Sequence, residues 1–154
     1  MYLLSQVPGF PPLIQTVHIL SVSVVMGSVV LIDLRILGLA LPSQEASALV
    51  RRLMPFTWWA LPTLAVSGLV FVFAQPHRYA ANPVFGLKFA MLTPAILLAA
   101  VLHRATVRDP QIWDRSGVHR GSAKLIAALS LLLWIGVVMA GRWIAYADYL
   151  FPVE

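Results

Sequence analysis

Apolar residues form four long stretches along the chain, separated by short segments that carry most of the charged residues. The stretches lack the alternation of apolar and polar residues that strands of a membrane barrel show, so a barrel is excluded. Each is close to the ~20 residues that an α-helix needs to cross the hydrocarbon core of a bilayer. The sequence therefore predicts four transmembrane helices, at about residues 13–36, 56–75, 84–103 and 123–146.

Proline residues mark the predicted helix ends and two positions inside the helices. Pro12 precedes the first helix, Pro42 follows it, and Pro55 is expected to open the second. Pro62 and Pro94 fall inside the second and third helices, where each removes a backbone donor and is expected to kink the helix. There is no internal repeat, so the 154 residues are predicted to form one all-α domain, a four-transmembrane-helix bundle.

The composition indicates an integral membrane protein. The chain is 60% hydrophobic and 11% charged, whereas soluble domains carry about 25% charged residues. The absence of cysteine excludes disulfides, thiolate metal sites and the covalent attachment of c-type haem. The net charge of +5 does not indicate nucleic-acid binding, because the basic residues mostly flank the apolar stretches, as membrane insertion requires. No nucleotide-binding or hydrolase motif occurs, so the sequence singles out no catalytic residue.

The distribution of lysine and arginine predicts the orientation. Eight basic residues lie in or beside the connections after the first and third helices, and three lie on the side of the N-terminus. Because positively charged loops stay in the cytoplasm, both termini are predicted to be periplasmic, in a multi-pass protein of the bacterial inner membrane. The eight are Arg35, Arg51, Arg52, Arg104, Arg108, Arg115, Arg120 and Lys124, and the three are Arg78, Lys88 and Arg142.

His18 lies inside the first predicted helix, and an ionisable side chain within a membrane usually marks a functional site. Counted at ~1.5 Å per helical residue, His18, Lys88 and Arg142 all lie roughly 6–8 Å below the periplasmic surface. The same half of the bundle holds two thioethers, a second histidine, a third basic residue and a tyrosine one turn past Arg142. These are Met91, Met139, His77, Arg78 and Tyr146.

This set of residues suits a b-type haem. A neutral imidazole is a common axial ligand, methionine or a second histidine can bind the opposite face, and basic side chains pair with the two propionates. His18 is therefore predicted to bind the iron. The candidates for the opposite face are Met91, Met139 and His77, and those near the propionates are Arg142, Lys88 and Arg78, with Tyr146 on the same helix face as Arg142.

Two other interpretations stay open. Histidine with methionine suits copper, so His18, His77, Met91 and Met139 are candidates for a copper site, although the cations at the same depth would repel a metal ion. Alternatively, the protein is a cofactor-free accessory subunit. In that case Lys88 and Arg142 extend to the membrane surface, and His18 bonds to a neighbouring helix and helps to hold the bundle together.

A second polar set is expected in the cytoplasmic half. Asp33 is the only acidic residue inside a predicted helix, and a structural ion pair with a nearby cation is the simplest interpretation. The alternative is a proton path through Asp33 and His103, or His103 as a second metal ligand. His18 and His103 lie near opposite membrane faces, so one iron is not expected to join them. The possible partners of Asp33 are Arg35, Arg104, Lys124 and His103.

Three strings resemble a small bacterial family of four-helix membrane proteins of unknown function: VHILSVSVVMGSVVLIDLRILG, RYAANPVFGLKFAMLTPAILLAAVLH and AGRWIAY. The histidine of the first helix, the lysine near the start of the third and the histidine at its end more distantly resemble HemJ-type protoporphyrinogen oxidases and CopD-type membrane domains. The HemJ-type resemblance implies haem b in a small helical bundle, with His18 as the ligand and Lys88 at the same site.

The function expected from the sequence is one-electron transfer through a b-type haem on the periplasmic side. The expected partners are the lipid bilayer, quinone or a periplasmic redox protein, and other membrane subunits or further copies of the chain.

Overall fold

Four long helices make up most of the chain that the structure describes. The structure is a computed structural model that describes residues 9–74, 76, 79, 82–113 and 118–146, except for the side chains of residues 118–120 and 145. Each helix is long and apolar enough to cross a membrane, which confirms the predicted all-α, four-helix class. The helices are α1 (Phe10–Leu37), α2 (Ala46–Ala74), α3 (Pro83–Arg108) and α4 (Val118–Trp143), and a short 3₁₀ turn (Ile144–Tyr146) follows α4.

Local signals set several helix ends. Proline stands in the first turn of α1, where the missing backbone donor costs nothing. Gly38 ends α1 with φ of 83°, a left-handed conformation that glycine adopts without strain, and its amide bonds to the carbonyl of Arg35. Asn82 caps α3, since its side chain accepts a hydrogen bond from the amide of Val84.

Helix α2 begins at Ala46, ten residues before the predicted start, and Pro55 lies inside it. The extra turns are stabilised by tertiary contacts, because Val50 and Met54 are fully buried while Arg51 remains exposed. Burial of this face offsets the backbone hydrogen bond that Pro55 cannot donate to the carbonyl of Arg51. The first part of α2 is thus a conventional amphipathic helix, which hydropathy alone did not reveal.

The helices run up and down, and neighbours in the chain are antiparallel. Helix α1 packs most extensively on α2, α3 packs on α4, and α1 closes the bundle against α4, whereas α2 and α3 share the smallest interface of the four pairs. We name the end where α1 and α3 begin the terminal end. We name the opposite end the basic end, since its described side chains include Arg35, Arg51, Arg52, Arg104 and Arg108.

Small residues form much of the interface between the helices. Ala95, Ala99 and Ala127 are fully buried, and Trp134 fills the middle of the bundle against Val29. Lipid tails are as apolar as leucine, so close packing of small side chains is the means by which such helices associate. Large apolar residues lie on the outside, with Trp59 80% exposed, as expected for a surface that contacts lipid.

Candidate functional site

His18 is half-buried between α1 and α2, and its Nδ1 makes a hydrogen bond to a serine of α2. Its Nδ1 lies 2.7 Å from the hydroxyl oxygen of Ser67. That hydroxyl also lies within hydrogen-bond distance of the carbonyls of Thr63, at 2.7 Å, and Leu64, at 3.2 Å. When its single proton is on the Thr63 carbonyl, Ser67 accepts from Nδ1–H of His18. In that arrangement Nε2 of the neutral imidazole keeps its lone pair for another partner.

Two further side chains surround the imidazole. The ring of Phe71 meets it edge to face, with centroids 5.6 Å apart. Lys88 lies within electrostatic range of His18. The lysine chain is half-buried and crosses α4 at Gly141, where an added Cβ would lie 3.8 Å from both Cε and Nζ. The structure thus brings together two of the residues that the sequence placed at one depth.

The two methionines predicted to face the same site are directed elsewhere. Met91 packs against α4 at Gly136, where its Sδ would lie 2.7 Å from an added Cβ, so the sulfur fills the notch left by the glycine. Met139 is 49% exposed on the outside of the bundle. Neither is paired with His18. The direction of each side chain around its helix depends on packing, which the residue count along a helix does not give.

Arg142 also lies on the surface. Its Nη2 donates a hydrogen bond to the hydroxyl of Tyr146 at 3.2 Å, and its Cζ stands 5.3 Å from the centre of that ring. This pair sits at the terminal end, where a carboxylate at the membrane surface would be accessible. The candidates His77 and Arg78 lie outside the described residues.

His103 accepts a hydrogen bond through its Nδ1. The indole Nε1 of Trp58 donates to its Nδ1 at 2.7 Å, and the two rings stack with centroids 6.0 Å apart. An indole nitrogen only donates, so Nδ1 of His103 holds the lone pair and Nε2 holds the proton. His103 lies near the basic end, one helix turn before Val107, and its lone pair is already used. To bind a metal, His103 would have to break the hydrogen bond from Trp58 and coordinate through Nδ1, or lose the proton from Nε2 and coordinate there.

Asp33 is completely buried, and the predicted ion pair does not form among the described residues. Both carboxyl oxygens lack a hydrogen-bond partner there. The hydroxyl of Ser130 faces the carboxyl closely enough to interact, although not with the geometry of a hydrogen bond. Arg35 turns away from Asp33 and donates from Nε to the carbonyl of Gln44. A basic residue two positions along a helix faces a different direction, which explains why Arg35 is not the partner.

The sequence analysis did not identify the hydrogen-bond partners of His18 and His103. Ser67 and Trp58 are ordinary residues for an apolar helix and a membrane interface, and only the register between helices pairs them with His18 and His103. In the described part of the chain, no group of three His, Asp or Glu side chains could hold a metal ion.

Comparison with known proteins identifies a family and nothing more specific. The model of a family of unknown function (DUF6644) matches residues 9–147, a range that contains all four helices. No curated protein and no solved structure matches the chain. The resemblance to a small four-helix family of unknown function is thereby supported, whereas the likeness to HemJ-type and CopD-type proteins finds no support.

Proposed function

The chain belongs to the DUF6644 family, whose function is unknown, and we propose that it is a membrane protein that binds haem b for one-electron transfer. His18 is the proposed axial ligand of the iron. The observation that carries the proposal is the contact of 2.7 Å between Nδ1 of His18 and the Ser67 hydroxyl, because an imidazole that donates through Nδ1 presents the lone pair of Nε2 to a ligand.

The surroundings of His18 match what a ligating imidazole requires. Histidines that bind metal usually donate their other ring N–H to a neighbouring acceptor, which orients the ring and makes the ligand nitrogen more basic. The hydroxyl of Ser67 has this role, and Phe71 limits rotation of the ring from the side. Bound haem would supply one-electron chemistry through its iron, while the protein holds the ring and sets the polarity around it.

Positive charge at the terminal end supports an anionic cofactor over a bare cation. Lys88 acts electrostatically on His18, and Arg142 with Tyr146 offers a guanidinium and a hydroxyl at the surface. Both basic groups suit haem propionates. We assign no second axial ligand to Met91 or Met139, because one packs on Gly136 and the other faces outward.

The proposed location is the bacterial inner membrane with the basic end in the cytoplasm. The excess of arginine at that end of the described helices supports this orientation. It places His18 in the periplasmic half, where the electron partner would be quinone, a periplasmic redox protein or a larger membrane complex.

The haem proposal is tested by a reduced-minus-oxidised absorption spectrum of the purified protein. The wild type is expected to show a Soret band, and His18→Ala is expected to abolish it while the protein still inserts and purifies. His103→Ala is the matched control, since it removes another half-buried histidine from the opposite end, and its spectrum should be unchanged. Absence of a Soret band from wild type rejects the haem, and its persistence in His18→Ala rejects the ligand.

A cofactor-free accessory subunit is the second candidate function. It is favoured by the packing of α3 on α4, where Met91 fills the notch at Gly136 and Lys88 crosses Gly141. If these residues serve only to pack the helices, the purified wild type will show no haem absorption. His18→Ala will then lower the free energy of unfolding and change nothing else. Copper, the third candidate, is disfavoured by Lys88 near His18, and elemental analysis of the purified protein tests it.

A further inference from the structure

A groove opens between α2 and α3 at the basic end of the bundle, far from His18. Its volume is about 510 Å³, and it is lined by Trp58, His103, Arg104, Val107 and Arg108. It lies where the two helices share the smallest interface of the four neighbouring pairs. A volume of this size falls within the range of roughly 300–1,000 Å³ that is usual for small-molecule sites.

The polar groups that line the groove are donors. Arg104 and Arg108 stand one turn apart on α3, both are exposed, and neither has a hydrogen bond or ion pair with another described residue. The proton on Nε2 of His103 follows from the bond that Nδ1 accepts from Trp58. Two guanidinium groups and an imidazole N–H complement an anion, and arginine in particular suits the paired oxygens of a phosphate.

The remaining walls are apolar. The indole of Trp58 is oriented by its hydrogen bond to His103, with ring centroids 6.0 Å apart, and the side chain of Val107 on the same groove is 63% exposed. Basic pockets between transmembrane helices near the membrane surface bind the headgroups of anionic lipids. A free phosphate ion would use the donors alone, whereas a lipid would use both the donors and the apolar walls.

We propose that this groove is a binding site for an anionic phospholipid. The lipid phosphate binds Arg104 and Arg108 with the N–H of His103, and an acyl chain lies against Trp58 and Val107. The lipid would thus cover the thinnest interface of the bundle and hold α2 to α3. This site is independent of the haem proposed at the terminal end.

The test measures lipid retention by native mass spectrometry of the detergent-solubilised full chain, titrated with phosphatidylglycerol or phosphatidylcholine. Phosphatidylglycerol is expected to bind more tightly. Replacing both groove arginines (Arg104→Gln with Arg108→Gln) is expected to weaken its binding by about tenfold or more, since the lipid phosphate would lose its charge-assisted hydrogen bonds from two guanidinium groups. The matched control is Arg51→Gln with Arg52→Gln, which removes the same charge from exposed positions at the same end and should change binding less than about twofold.

Three results would overturn the lipid site. Equal loss of binding in both double variants would mean that only the general charge of the basic end attracts lipid. If phosphatidylcholine binds as tightly as phosphatidylglycerol, the arginines do not select for the net negative charge of the lipid headgroup. Displacement of phosphatidylglycerol by millimolar inorganic phosphate, with the same affinity for both, would make the groove an anion site that does not use its apolar walls.

Discussion

At the residue scale, the two half-buried histidines differ in which nitrogen is available. Trp58 can only donate to Nδ1 of His103, whereas the Ser67 hydroxyl is placed to accept from Nδ1 of His18, and with that bond the neutral rings carry their protons on different atoms. The consequence is a division of roles between two residues of one type. His18 offers a lone pair to a ligand, and His103 offers an N–H.

This difference can be measured without any cofactor. In ¹⁵N-histidine-labelled protein at alkaline pH, His18 is expected to give the chemical shifts of the Nδ1–H tautomer and His103 those of the Nε2–H tautomer. The variants His18→Ala and His103→Ala assign the signals. Ser67→Ala should release His18 into a mixture of tautomers and cost about 1 kcal/mol of unfolding free energy. Identical tautomers at the two positions in wild type would contradict the hydrogen-bond assignment.

At the element scale, glycine positions on α4 show how closely α3 approaches it. A Cβ at Gly136 would lie 2.7 Å from the sulfur of Met91, whereas one at Gly141 would lie 3.8 Å from the nearest atoms of Lys88. The first contact requires the methionine to move, and the second is an ordinary van der Waals contact. A side chain at position 136 would therefore collide with α3, whereas position 141 has room for a methyl group.

Gly136→Ala is expected to destabilise the protein, although alanine favours a helix. Overpacking a close interface costs roughly 1–3 kcal/mol, and the flexibility of Met91 places the effect at the lower end. Gly141→Ala, the matched control, should be neutral or stabilising by up to about 1 kcal/mol. Unfolding in detergent monitored by circular dichroism gives both values. If Met91→Ala fails to relieve the cost in the double variant, the proposed contact is not its cause.

At the scale of the whole molecule, charge separates the two ends of the bundle. Most of the described arginines lie at the basic end, and Lys88 and Arg142 lie at the terminal end. The smallest of the four interfaces, between α2 and α3, opens at the basic end into the groove. The haem proposed at His18 and the lipid proposed at Arg104 thus belong to opposite halves of one bundle.

The orientation in the membrane can be tested with introduced thiols, because the chain has no cysteine of its own. Ser43 and Pro76 are both exposed and lie at the basic and terminal ends, respectively. In intact bacterial cells, a membrane-impermeant maleimide is expected to label Pro76→Cys, and to label Ser43→Cys only after the cells are permeabilised. The reverse pattern would place His18 in the cytoplasmic half and exclude a periplasmic electron partner.

The number of helices and their approximate extents were predictable because hydropathy is a local property of the sequence. Predicting the start of α2 failed, since residues such as Val50 and Met54 are stabilised by burial against other helices. The prediction that Asp33 forms an ion pair was wrong for a related reason. Charges near each other in the sequence, such as Asp33 and Arg35, need not face the same way on a helix.

The sequence by itself determined the class, the four spans and the depth of each candidate residue, because depth follows from counting residues along a helix. Only the tertiary structure decided the direction of each side chain around its helix axis. Lys88 lies within electrostatic range of His18, whereas Met139, which the sequence also placed in that half of the bundle, faces outward. That direction depends on the packing of four helices together, through partners such as Ser67 that lie far away in the chain.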